Sequence, residues 1–239
     1  MAFSTHHLEL SADVVDLWRT WLDLPADDCA RFFQTLSNDE RERAERFHFP
    51  SDRIRFVVGR GFLRALLARY VDIPPGDLCF RYGRFGKPVL AAAEPQGIQF
   101  NVSHSHGLAV YAVTRQRAVG IDVEYIRHIP DMEQVAERFF AASEVVALRS
   151  VAREKLAEAF FNCWTRKEAM VKACGDGLTM PLDSFTVSLA PGEPARLLSS
   201  GSNGLAASCW QLEKLNLAPG YVGALAVEGT GWQAVDRSP

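Results

Sequence analysis

Apolar residues along the chain change their spacing from segment to segment, and these changes predict its elements. From Ser51 to Val71 the large apolar side chains Phe56, Leu63, Leu66, Leu67 and Tyr70 recur at the helical interval, and Pro74-Pro75-Gly76 stops the run. Gly59 and Gly61 sit inside this helix at about 1 kcal/mol each relative to alanine, which implies another element packed close against it. Upstream, Ser11 reads as the N-cap of a short helix through Trp18, and Ser37-Asn38-Asp39-Glu40 has capping-box spacing for a charged helix through Phe47. Strand-like runs follow at Leu78 to Tyr82, Ile98 to Val102, Leu108 to Thr114 and Ala118 to Glu124. The chain then turns helical over Asp131 to Phe140, Ser143 to Val151 and Glu154 to Ala173. Strands return near Ser184 to Leu189, Ala207 to Leu215 and Tyr221 to Val227, a Ser/Gly-rich loop covers Ser199 to Gly204, and Gly229 to Pro239 reads as a frayed tail.

Helix-then-strands thus occurs twice, and Leu108-Ala-Val-Tyr-Ala-Val resembles Tyr221-Val-Gly-Ala-Leu-Ala-Val in pattern. The layout predicts an α/β (α+β) fold made of two similar halves.

Composition narrows the class without choosing a function. The 239 residues are 48% hydrophobic and 23% charged with a formal net charge of −3, which describes a globular chain with a full core and argues against a generally basic nucleic-acid binder. Five cysteines without CxxC spacing fit reduced thiols better than a disulfide framework or a zinc site. Met1 to Leu10 has neither a basic region nor an apolar stretch of the secretory kind, and no apolar run reaches membrane-spanning length. The cytosol is the expected compartment.

Two charged segments carry the candidate chemistry. In Val119-Gly120-Ile121-Asp122-Val123-Glu124, strand alternation points Asp122 and Glu124 to one side while Ile121 and Val123 face the core. In Trp164-Thr165-Arg166-Lys167-Glu168-Ala169-Met170-Val171-Lys172, helical spacing puts Glu168 and Lys172 on one face. Either pair alone is ordinary, a solvated strand end or an i,i+4 ion pair. However, Phe160, Phe161 and Trp164 lie on nearly the same stripe as Glu168, so a face that buries aromatics runs into charge. A cleft holding a divalent metal and a phosphate would supply the partner.

The segment Phe100-Asn101-Val102-Ser103-His104-Ser105-His106-Gly107 ends a strand with hydroxyls and imidazoles that can hold phosphate oxygens or form a plain turn. A zinc site at His104 and His106 lacks further ligands at matching spacing, and a Ser-His-Asp hydrolase lacks the Gly-x-Ser-x-Gly elbow. Gly59-Arg60-Gly61 lies within a helix and lacks a third glycine, so it is no dinucleotide fingerprint. Among Arg53, Arg55, Arg60 and Arg64, those near the helix start can reach an anion, and Lys87 in the Gly83 to Pro88 turn is either exposed or aimed at a nucleotide.

Together these segments resemble the Sfp-type 4′-phosphopantetheinyl transferases. The match is carried by Phe85-Gly86-Lys87-Pro88, by Phe100 to Ser105, by Gly120 to Glu124 and by Trp164 to Ala169 with Lys172. Gly175-x-Gly177-Leu178-x-x-Pro181-Leu182-x-x-Phe185 extends it. The resemblance runs from about Ser37 to Val227 and implies two similar subdomains, 1–121 and 122–239, related by a pseudo-twofold axis with coenzyme A in the cleft between them. It implies transfer of the phosphopantetheine arm of coenzyme A to a serine of an apo acyl, peptidyl or aryl carrier protein, with release of adenosine 3′,5′-bisphosphate. Asp122, Glu124 and Glu168 would be the Mg2+ ligands, and Lys172 a cation on the pyrophosphate. Glu168 would also take the serine proton. Arg55 and His104 would meet the 3′-phosphate, Lys87 the adenine end, Ser103 a phosphate oxygen, and Arg43 a phosphate of coenzyme A. A monomer is implied, without nucleic-acid or membrane partners. One departure from the family is that Glu40 stands where relatives often carry a second basic residue beside Arg43. A non-catalytic coenzyme A binder and a metal-dependent phosphohydrolase are the competing readings.

Overall fold

A computed structural model describes residues 7–84, 86–91, 97–175, 180–200 and 207–238. Phe85, Gly177, Leu178 and positions 201–204 of the Ser/Gly-rich loop, all singled out above, lie outside the described residues, as do residues 1–6. The N-terminal part contains strand β1 (Val14–Trp21) and helices α1 (Ala26–Thr35), α2 (Asn38–Glu45) and α3 (Pro50–Val71), followed by the short hairpin β2 (Phe80–Tyr82) and β3 (Pro88–Leu90). Strands β4 (Ile98–Ser105), β5 (Leu108–Arg115) and β6 (Val119–Tyr125) come next. Helices α4 (Met132–Phe139), α5 (Ala142–Arg149) and α6 (Leu156–Cys174) precede β7 (Thr186–Val187), β8 (Leu197–Ser199), β9 (Trp210–Lys214), β10 (Tyr221–Glu228) and β11 (Gln233–Asp236).

Two sheets organise the molecule, with strand orders β11-β1-β5-β4 and β6-β10-β9. Strand β5 turns Ala109, Tyr111 and Val113 toward the core under α3, and Leu108, Val110 and Ala112 toward a seam between the sheets. Strand β10 does the same with Val222, Ala224 and Ala226 toward the α6 core and Leu225 and Val227 toward the seam. The similar patterns of the two segments thus reflect similar places: central strands covered on both faces, which read as continuous apolar runs. The fold is α+β in two similar halves. The expected boundary after Ile121 falls inside β6, whose seven residues all pair with β10.

A buried charge device occurs once in each half. Glu40 and Glu144 both sit at the third position of a short helix, and each accepts from a backbone N–H at the start of its own helix: Ser37 at 3.0 Å and Ala141 at 2.8 Å. Glu40 also holds Arg64 of α3, whose guanidinium donates to the carbonyls of Pro75 and Leu78 at 2.8 and 3.0 Å. Glu144 holds Lys167 of α6 at 2.7 Å, and that ammonium donates to the carbonyls of Leu182 and Phe185 at 2.7 and 2.6 Å. Each long helix is thereby tied to a short helix before it and a 3-10 turn after it. Glu40 thus has a structural task that a basic residue could not perform.

Three expectations are corrected. Ser11 to Trp18 does not form a helix; Val14–Trp21 is a central strand, antiparallel to β5 and parallel to β11. Its polar positions have distant partners that disguise the strand pattern: Asp16 is fully buried and accepts from Tyr70 at 2.8 Å and Arg237 at 3.0 Å. The segment from Gly229 to Ser238 is not frayed, because Gln233–Asp236 pairs with β1 and Trp232 is buried in the seam; Pro239 lies outside the described residues. The run from Ser184 to Leu189 forms only a 3-10 turn, Leu182–Ser184, and the two-residue β7. Helix α1 went unanticipated, and it occupies the space kept open at Gly61, where a Cβ would lie 2.5 Å from that of Phe32. Among the described residues no helix is long and apolar enough to cross a membrane.

Removing Glu144 would leave the Lys167 ammonium, with no exposed side-chain surface, lacking its carboxylate. Glu144→Ala is therefore expected to cost about 3–5 kcal/mol in urea unfolding, whereas Glu42→Ala, which breaks an exposed pair with Arg46, should cost less than about 1 kcal/mol.

Candidate functional site

The site is built on the open edge of β6. One edge pairs with β10, and among the described residues no strand hydrogen-bonds to the edge that faces β4. Buried main-chain groups must find partners, and here side chains supply them. The amides of Ile121, Val123 and Tyr125 donate to Asn101 Oδ1, Ser103 Oγ and Ser105 Oγ of β4 at 2.9, 3.3 and 3.2 Å. The carbonyl of Val119 accepts from Lys87 Nζ at 3.1 Å, and that of Ile121 from Lys172 Nζ at 3.3 Å. Asn101, Ser103 and Ser105 alternate along β4, so one face of that strand forms a ladder of short polar side chains. Phe100, Val102 and His104 face the α3 side.

Gly120 lets α6 lie directly on this strand. A Cβ there would be 2.0 Å from the carbonyl oxygen of Ala169 and 2.4 Å from the nitrogen of Ala173. The close approach brings Glu168 and Lys172 over Asp122. Lys172 Nζ donates to Asp122 Oδ1 at 2.6 Å and to Ser103 Oγ at 3.1 Å, and Ser103 Oγ donates to the same Asp122 oxygen at 2.8 Å. Glu124, one step along the strand face, accepts from Ser105 Oγ at 2.8 Å and Arg127 Nη1 at 3.0 Å.

Electrostatics follow from this crowding. Asp122 is only 6% exposed, and burial raises its pKa, an effect that Lys172 and Ser103 oppose. Its Oδ2 is buried without a hydrogen-bond partner among the described residues. Burial also raises the pKa of Glu168, and the charges of Asp122 and Glu124 push it the same way. An unpartnered carboxylate oxygen among mutually repelling carboxylates suits a divalent cation. Yet no group of three or more His, Cys, Asp or Glu among the described residues is arranged to hold a metal as it stands.

A second region opens beside the first, on the α3 side of β4. It is a cavity of about 570 Å³ lined by Arg43, Arg55, Phe56, His104 and Tyr111 among others. Arg43 stacks on Phe56, 5.1 Å from the ring centroid. Arg55 is held by Asp23 in a bidentate pair at 2.8 and 2.9 Å, which lowers the Asp23 pKa and raises that of Arg55. Partial burial pushes the His104 imidazole down, Lys172 and Arg55 add to that, and Asp122 and Glu124 oppose it.

The predicted residues therefore fall into two neighbouring groups: Asp122, Glu124, Glu168, Lys172 and Ser103 on one side of β4, and Arg43, Arg55 and His104 on the other. Lys87 belongs to neither, because its ammonium is taken up by the Val119 and Lys172 carbonyls, the latter at 2.7 Å. Sequence reasoning missed Asn101, whose signal was the N-x-S-x-S alternation. It also missed Asp23, which carries no local signal for a partner 32 positions away. An aromatic group at the seam was missed too: Trp21, Tyr125 and Tyr221, with rings 5.0 to 6.0 Å apart, and His106 4.7 Å from Tyr125.

Comparison with known proteins gives a consistent result. A family profile described as the 4′-phosphopantetheinyl transferase superfamily matches residues 118–226, and one described as 4′-phosphopantetheinyl transferase, N-terminal, matches residues 19–116. The chain is 43% identical over 228 residues to the 4′-phosphopantetheinyl transferase HetI of Nostoc sp., covering 95% of this chain and 93% of that protein. It is 30% identical over 175 residues to the 4′-phosphopantetheinyl transferase Sfp of Bacillus subtilis, covering 72% and 76% of the two chains.

Two outcomes are expected from the geometry. Gly120→Ala forces β6 and α6 apart and should cost about 3 kcal/mol or more in chemical unfolding. For Glu168, a raised folded-state pKa means that the folded chain holds its proton to higher pH than the unfolded one, so ionisation above that pKa costs stability. Glu168→Gln removes this cost. In metal-free buffer the variant should melt higher than the parent at pH 7.5, and its advantage should vanish as pH falls through the raised pKa toward the ordinary value of 4.5.

Proposed function

The chain belongs to the 4′-phosphopantetheinyl transferase superfamily, and we propose that it moves the phosphopantetheine arm of coenzyme A onto a serine of an apo carrier protein, releasing adenosine 3′,5′-bisphosphate. The observation that carries the site assignment is Asp122: buried, paired with Lys172 through one oxygen and unpartnered at the other, beside a cavity lined with cationic side chains.

In this reading the cavity on the α3 side takes the nucleotide end of coenzyme A. Arg43, Arg55 and His104 hold the 3′-phosphate, with Phe56 and Tyr111 among the apolar wall. Asp23 already neutralises Arg55, so a phosphate there must displace that carboxylate or share the guanidinium with it. The pyrophosphate then lies toward Lys172. Ser103 bridges Lys172 and Asp122 and orients both.

Asp122, Glu124 and Glu168 would hold a magnesium ion, which prefers a few carboxylates completed by phosphate oxygens and water. Bound there, it would neutralise the charge that builds on the pyrophosphate as the P–O bond breaks. The chain's own residues do the rest. Glu168, whose proton affinity is raised by burial and by its acidic neighbours, takes the proton of the carrier serine. The serine oxygen bonds to the phosphorus bearing the arm. The bond from that phosphorus to the bridging oxygen breaks, and its electron pair leaves with adenosine bisphosphate. Lys172 stays beside the leaving pyrophosphate oxygen as a fixed positive charge.

A cytosolic monomer fits this reading, and the five cysteines form no disulfide among the described residues.

The experiment is intact-mass spectrometry of an apo carrier protein incubated with the chain, coenzyme A and magnesium, with an EDTA control. A gain of one phosphopantetheine arm that disappears with EDTA is the expected result. Asp122→Ala and Glu168→Ala should stay folded by circular dichroism while transfer falls about 100-fold or more. Full activity in either variant would remove the carboxylate assignment. Coenzyme A binding without any mass gain across several carrier classes would make the chain a binder.

A further inference from the structure

We infer that Lys87 is a positioning residue, holding the end of α6 against the start of β6 so that Lys172 and Asp122 meet in register. This rests on the transferase reading of that site and assigns Lys87 a part in it other than contact with the nucleotide.

Lys87 directly precedes β3 in the short hairpin, and its own carbonyl closes the hairpin loop by accepting from Gly83 N at 3.0 Å. The hairpin is anchored on the N-terminal half. Phe80 packs edge-on against Phe100 of β4 with centroids 6.0 Å apart, and Arg60 of α3 lies 4.2 Å from the Phe80 ring centroid. From this base the Lys87 side chain reaches across to the other half. Nζ donates to the carbonyls of Val119 at 3.1 Å and Lys172 at 2.7 Å.

Both acceptors would otherwise be poorly served. Lys172 lies in the last turn of α6, where carbonyls run out of helical N–H partners and a cation is favourable against the helix dipole. Val119 opens the edge of β6 that no strand among the described residues covers. One ammonium thus joins the backbone of the residue whose side chain contacts Asp122 to the backbone three positions before Asp122 itself. Two of its three N–H donors are spent on main chain. Burial lowers the Lys87 pKa to about 8, and the carbonyl acceptors, which favour the charged form, act against that.

The test uses the full chain with Lys87→Met, which keeps the length of the side chain and removes the donors. In ligand-free, metal-free protein, amide hydrogen exchange in 119–125 and 171–175 should rise. With a carrier protein, kcat should fall about 10-fold or more while the coenzyme A dissociation constant stays within about 3-fold. Lys87→Arg, which retains a cation on a long stem, should recover part of both effects. If Lys87→Met does not fold, Lys87→Gln carries the same three readouts.

Weakened coenzyme A binding with kcat and exchange unchanged would overturn the inference and make Lys87 a ligand contact. Exchange unchanged in an enzyme that still transfers would overturn it as well. Absence of transfer by the parent chain would instead defeat the functional reading, because the exchange measurement needs no activity.

Discussion

Everything at the site depends on an uncovered strand edge. Among the described residues strand β6 has a strand partner on one side only, and its other row of N–H and C=O groups faces β4. An unsatisfied buried group of this kind costs about 1–3 kcal/mol. The molecule answers with side chains from three elements: Asn101, Ser103 and Ser105 of β4, Lys87 before β3, and Lys172 of α6. Satisfying the edge and building the site are therefore one act. The same Ser103 that accepts from Val123 orients Asp122, and the same Lys172 that donates to Ile121 pairs with it. A strand covered by another strand would have had no such groups projecting beside Asp122 and Glu124.

The two halves share more than their strand patterns. Glu40 with Arg64 and Glu144 with Lys167 form the same construction, down to a pair of carbonyls three residues apart at the far end. Burying such pairs is not by itself a source of stability, since desolvation offsets most of the attraction. Its value lies in geometry: each long helix is locked in rotation and in depth on its sheet. For α6 that locking leaves Arg166 and Lys167 facing inward, with Arg166 Nη1 on the Ser188 carbonyl at 2.6 Å, while Glu168 and Lys172 face β6. Charges adjacent in sequence thus divide between holding the helix and serving the site.

Much of this was legible because the elements near the site obey short-range rules. The two-residue period put Asp122 with Glu124 and the four-residue period put Glu168 with Lys172; both facings follow from local geometry alone. The close packing implied by Gly61 was likewise readable, although not which element supplied it. What escaped depends on partners far along the chain. Strand β1 looked helical because Asp16, Arg19 and Thr20 interrupt its apolar residues, and the groups that make Asp16 tolerable lie 54 and 221 positions away. Glu40 looked like a missing base because its cations come from a different helix. The carbonyls that Lys87 meets lie 32 and 85 positions away, and nothing local announces them.

The parallel pairing of β11 with β1 has a consequence for the order of folding. Strand β1 precedes the strands of the other half in the chain and β11 follows them, so the sheet of the N-terminal half stays open along one side until that other half has been made. During that interval the Asp16 carboxylate has the Tyr70 hydroxyl but not the Arg237 guanidinium. Contacts of such sequence separation form slowly, because the loop they close must be ordered first. On the ribosome the N-terminal half would wait, incompletely closed, for a strand synthesised after the other half had already emerged. The two halves look like a repeat of one unit in space, but in time the first can finish only after the second.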